Sequence, residues 1–187
     1  MATTLNTFIN TQIELKKLQF HTPDEKGKSK CNVMHVGKDT GICPKLEVHG
    51  TKMQKITQNT YLGDIVSSDG KNDANIASRV SKGLGIVTQI ANMLEKVSFG
   101  KHYFKMAAAF RESNFLNGIL TNAESWHGLL SSQIHQLEAV DQLLIRKFFN
   151  TPVSTPIEAL YLEMGITSIG TLIKARRINF LHNLMTL

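Results

Sequence analysis

Cysteine is scarce in this chain: Cys31 and Cys43 are the two among 187 residues. So few thiols give no disulfide framework and suit a reducing compartment in which both stay free. Long apolar runs are missing as well. None approaches the roughly 20 residues needed to span a bilayer, so no membrane partner is expected. Met1-Ala2-Thr3-Thr4 opens without a basic region ahead of an apolar one, so it reads as no signal peptide. These absences lead to an intracellular expectation, nuclear or cytoplasmic. No internal repeat or low-complexity tract is visible. Arginine is absent from residues 1–72, and all five arginines lie beyond them.

What is present is 42% hydrophobic residues, enough for one medium domain or two small ones. Net charge is +6 and the pI is about 9.4, which favours an acidic partner such as nucleic acid. The charge is spread evenly. Residues 1–72 hold ten Lys against seven acidic residues, and residues 73–187 hold eleven Lys and Arg against eight, +3 in each part.

Helical spacing of Leu5, Phe8, Ile9, Ile13 and Leu18 predicts a first helix, with Asn6 or Thr7 as cap, ending near Phe20. Asp24-Glu25 sits among Lys26, Lys28 and Lys30 and reads as solvated loop charge rather than a paired acid/base site. Strands are predicted at 31–36, at 45–48 and at 60–66, giving a three-stranded antiparallel meander. In the last, Tyr61, Leu62, Ile65 and Val66 are strand formers and Asp69-Gly70 is a stop signal. Gly63, inside that strand, marks a bulge or a close approach by another backbone or a ligand.

Two motif-like clusters carry little. Cys31, His35, Cys43 and His49 have the spacing C-x3-H-x7-C-x5-H. A zinc site normally places a close Cys pair ahead of a close His pair, so no metal site is expected here. Gly37-Lys38-Asp39-Thr40-Gly41 lacks both the spacing and the following helix of a phosphate-binding loop.

From residue 73 onward the pattern is helical. Ile76, Val80, Leu84, Val87, Ala91 and Leu94 repeat at steps of four and three, with Asp73 as N-cap. The opposite stripe, Asn75, Arg79, Lys82, Gly85, Gln89, Asn92 and Lys96, contains no acid. Two readings of it stay open: a groove lined for phosphates, or the solvated face of an amphipathic helix. Residues 98–126 predict a second helix, with Phe104, Ala108, Phe115, Ile119 and Ala123 as its stripe and Trp126 as a buried indole at its end. Ile134, Leu137, Val140 or Asp141, Leu144 and Phe148 predict a third. Asn150-Thr151-Pro152-Val153-Ser154 is a linker. Thr155-Pro156-Ile157-Glu158 then starts a short helix that Gly165 closes, and Ser168 starts the last one. Lys174, Arg176 and Arg177 on that last helix are the densest basic cluster.

Several segments, taken in order, resemble one family. They are Lys30-Cys31-Asn32-Val33-Met34-His35-Val36-Gly37-Lys38, Lys45-Leu46-Glu47-Val48, Tyr61-Leu62-Gly63-Asp64-Ile65, Glu124-Ser125-Trp126-His127, Leu137-Glu138, the run Thr155 to Glu163, and Lys174-Ala175-Arg176-Arg177. Together they resemble the part of non-LTR (LINE-like) retrotransposon reverse transcriptases that follows the catalytic box. The resemblance implies the end of a polymerase palm, a thumb and further helices. It implies Lys30 as the proton donor to pyrophosphate, the Tyr61-Leu62-Gly63 segment as the hairpin at the primer end, and Tyr61 and Gly63 as contacts there. Arg79, Lys82, Gln89 and Lys96, with Lys174, Arg176 and Arg177, would contact an RNA–DNA hybrid or other nucleic acid.

Two-metal phosphoryl transfer needs clustered carboxylates, and this chain has no Asp-Asp pair. The resemblance therefore places the catalytic box, the rest of the palm and the fingers upstream, as a missing partner. No cofactor is expected in this chain, and Mg²⁺ only in the intact polymerase. The expected fold is α+β with helix dominant: a small antiparallel meander as palm remnant over residues 1–72, a helical thumb over 73–150, and a two-helix extension over 151–187. The alternative function is a domesticated or decayed fragment acting as a helical protein-interaction module.

Overall fold

Helix prevails over strand in the computed structural model, which describes residues 2–16, 32–37, 46–48, 51–94, 100 and 102–186. The fold is α+β, as the periodicity predicts. The chain divides into two compact units, Met1–Lys71 and Asn72–Leu187.

In the first unit, helix α1 (Ala2–Leu15) already includes Asn6, so neither Asn6 nor Thr7 caps it. Asn6 and Asn10, one turn apart, instead hold a strand. Asn6 Oδ1 accepts from Glu47 N–H at 3.1 Å, and Asn10 Nδ2 donates to Glu47 O at 3.3 Å. Among the described residues the short strands are β1 (Asn32–Val33), β2 (Glu47–Val48), β3 (Thr51–Lys52), β4 (Gln54–Lys55), β5 (Gln58–Tyr61) and β6 (Asp64–Ser67). They do not form the expected meander. β1 pairs with β4 in parallel, β2 with β3 antiparallel, and β5 with β6 antiparallel. The partners of β1 and β2 come from residues 51–55, whose polar composition carries no strand signal of its own.

The segment 60–66 is likewise not one strand. It folds back as a β5–β6 hairpin in which Leu62 (φ +48°) and Gly63 (φ +86°) are the two loop residues. Positive φ at both positions is the type I′ geometry that matches the strands' own twist. Gly63 thus serves a turn rather than a bulge.

The second unit is a helical bundle. Its helices are α2 (Asp73–Leu94), α3 (Tyr103–Phe110), a π-helical segment (Arg111–Leu116) running on into α4 (Asn117–Ile119), then α5 (Ser131–Phe149), α6 (Ile157–Met164) and α7 (Ile169–Met185). Ile76, Val87, Phe115, Ile119, Leu137, Leu144 and Phe148 form its core, and Ile169 and Ile173 of α7 belong to the same cluster. Gly83 is the point of closest approach. A Cβ there would lie 2.9 Å from Val140 Cγ1 and 3.2 Å from Ile119 Cγ2.

That tight crossing fixes the rotation of α2. Its buried residues are Asn75, Ile76, Arg79, Gly83, Val87 and Ile90, while Leu84 is 43% exposed. The inward face is therefore turned from the predicted stripe, and Asn75 and Arg79 move from the outside to the inside. The second helix is also shorter than predicted, ending at Ile119, with residues 121–125 in turns. Helix α6 starts at Ile157 after Pro156 without a side-chain cap, one residue later than the capping pattern predicts. Gly165 (φ +64°) closes it, and Ser168 caps α7 by accepting from Thr171 N–H, both as predicted.

Candidate nucleic-acid interface

A helix of this length with one buried side leaves a continuous outward face. On α2 that face carries Ser78, Ser81, Lys82, Gly85, Thr88, Gln89 and Asn92, all exposed. It holds one cation, several hydroxyl and amide groups and no carboxylate. The acid of α2, Asp73, stands at its first residue, where the helix dipole favours it, and accepts from Gln133 Nε2 at 2.6 Å. Nothing would meet a Cβ at Gly85, so the middle of the face is open.

Lys82 and Gln89 therefore sit where the sequence predicts. Arg79 does not. It is 5% exposed, and it donates from Nη1 to Gly118 O at 3.2 Å and from Nη2 to Thr121 O at 3.3 Å. Its guanidinium carbon also lies 5.7 Å from the ring centroid of the buried Trp126. The reason is local: the end of α4 and the turn after it leave carbonyls without a helical partner, and a planar multidonor group reaches one of each, Gly118 O and Thr121 O.

Two members of the basic cluster of α7 are half-buried and bonded to backbone in a similar way. Lys174 is exposed, but Arg176 Nη1 donates to Leu120 O at 2.7 Å and Arg177 Nη2 donates to Trp126 O. Arg146 Nη1 holds Pro152 O and Thr155 O, each at 2.8 Å. Every arginine of the chain thus donates to a backbone carbonyl, and the basic surface among the described residues is carried by exposed lysines such as Lys82, Lys105, Lys147 and Lys174.

Arg111 belongs to a cluster that the periodicity does not reveal. Its Nε and Nη2 meet the two oxygens of Asp141, each at 2.7 Å, and Nη2 also reaches Thr167 O at 3.0 Å. Tyr161 Oη donates to Asp141 Oδ2 at 3.3 Å. Burial pushes the Asp141 carboxyl up from its ordinary value, against the opposing pull of Arg111. Burial and the Asp141 charge push the Tyr161 hydroxyl well up. Asp141 is 0% exposed, so this packing offers a substrate no access to it. The available signal was Asp141 itself, a carboxylate on the apolar side of a helix, which requires a cation across from it.

In the first unit, Tyr61 (65% exposed) and Gly63 sit at the tip of the β5–β6 hairpin. Lys30 and Lys96 lie outside the described residues, as do Cys31, Cys43 and His49. Among the described residues, no group of three or more His, Cys, Asp or Glu is placed to hold a metal ion. No helix among them is long and apolar enough to cross a membrane. No protein family, curated protein or solved structure matches the chain.

Proposed function

We propose that this chain is the nucleic-acid-gripping part of a retrotransposon reverse transcriptase, catalytically incomplete by itself. The observation that carries the reading is the outward face of α2, where Lys82, Gln89 and Asn92 flank an open Gly85 without a carboxylate among them. Such a face meets a sugar-phosphate backbone without repulsion, through one charge and several neutral hydrogen-bonding groups. The hairpin tip with Tyr61 and Gly63 supports the same reading as a primer-end contact. Mg²⁺ would enter only with carboxylates supplied by the remainder of the polymerase.

The test is fluorescence anisotropy of a labelled RNA–DNA hybrid across a salt series. Each phosphate contact contributes about 0.9 to the slope of log affinity against log salt. Lys82→Ala should flatten that slope by about one contact, and Lys147→Ala, an exposed charge on α5, should not. Equal effects would reduce the interaction to bulk charge. No hybrid binding at low salt would favour the second reading, a helical protein-interaction module. That reading has its own support: Ile178, Leu181, Leu184 and Met185 of α7 are each more than half exposed. An open apolar cleft of about 180 Å³ also lies between Met93, Met106, Phe110 and Phe148.

A further inference from the structure

Helices α6 and α7 are attached to the bundle differently from the rest of it. Their buried apolar side chains among the described residues are Leu160, Ile169 and Ile173. From Ile178 to Thr186 every residue of α7 and its cap is exposed. Half-buried Met164 and Leu172 add to the apolar contacts, and polar bonds join the pair to the other helices from both sides. Arg111 and Asp141 reach out to Thr167 O and the Tyr161 hydroxyl. Glu138 Oε1 accepts from Gly170 N–H at 3.2 Å, at the first turn of α7. From the other direction, Arg176 and Arg177 reach back to Leu120 O and Trp126 O. Gly170 permits the close fit, because a Cβ there would come within 3.1 Å of Glu138 Oε1.

We infer that residues 157–185 form a clasp that opens as a unit while α2 and α5 stay packed. Three buried apolar side chains, with Met164 and Leu172 half-buried beside them, are few for two helices, and segments with few buried contacts open at lower free energy than the core. The bonds that hold the clasp run to the π-helical segment, to α5 and to residues 120–126, and all of them end on residues 157–185. Opening releases the guanidinium groups of Arg176 and Arg177 and uncovers the apolar seat of Ile169 and Ile173.

Hydrogen exchange of the whole chain tests this. In the wild type, the helical amides of 157–185 should exchange as one group, faster than the buried amides of α2 and α5. The double variant Arg176→Met, Arg177→Met keeps unbranched side chains of similar reach and removes both donors. Its α7 amides should exchange at least about tenfold faster, as the loss of two hydrogen bonds from charged donors requires, with α2 unchanged. Equal acceleration in α2 and α5 would show the helices opening with the core and overturn the inference. Unchanged exchange in α7 would show that the arginines fasten nothing, and would overturn it too.

Discussion

Gly83 of α2 and Val140 of α5 meet with no room for a β-carbon: one placed on Gly83 would lie 2.9 Å from Val140 Cγ1. Gly85, two residues on, would meet nothing within 4 Å. Gly83→Ala should therefore destabilise by about 1–3 kcal/mol, the usual cost of overpacking. Gly85→Ala should stabilise by roughly 0.5–1 kcal/mol through helix propensity. Urea denaturation of the two variants checks the opposite signs.

Arg111 and Asp141 should behave as an interdependent pair. Asp141→Asn leaves a buried guanidinium without its counter-charge and should cost about 3–5 kcal/mol. Replacing both residues with apolar side chains of similar size should cost much less than the sum of the single changes. A double-mutant cycle by chemical denaturation measures the coupling.

Alkaline stability should fall steeply. The hydroxyls of Tyr103 and Tyr161 are both raised in the folded chain by burial. The unfolded chain ionises its tyrosines near about pH 10. A raised folded value means a contribution that is fully present below that pH and is lost as pH rises above it and through the folded values. Phenolate absorbance of these two residues should appear together with loss of helical circular dichroism, not before it. Tyr161→Phe should shallow the alkaline limb.

Arg79→Lys should disturb folding and leave hybrid binding intact. A lysine cannot span Gly118 O and Thr121 O with a planar fork that also sits near the Trp126 ring. Trp126 fluorescence should change and stability should drop by about 1–3 kcal/mol. Hybrid affinity, compared at a temperature where the variant is folded, should match the wild type.

The helices were legible because their apolar residues repeat at helical spacing. Leu137, Leu144 and Phe148 are buried as that spacing predicts, and Gly165 and Ser168 end and begin helices where their chemistry says. The strands were legible only in part. Two-residue strands such as Gln54–Lys55 have no period to read, and they exist because a neighbouring backbone needs partners. The π-helical segment at Arg111–Leu116 leaves no local signature either, since an extra residue in a turn changes a helix's facing without changing its composition.

Sequence alone determined the helix-dominant class and the absence of a bilayer-length apolar run. Only the tertiary structure decided where the arginines go. A guanidinium is charged at any ordinary pH, so periodicity places Arg79, Arg176 and Arg177 outside. Arg79 turns inward, and Arg176 and Arg177 are half-buried, because the end of α4 and the segment after it present the carbonyls of Gly118, Leu120, Thr121 and Trp126 as acceptors. Those acceptors come from 39 to 56 residues away in sequence, and their demand exists only once the helices have packed.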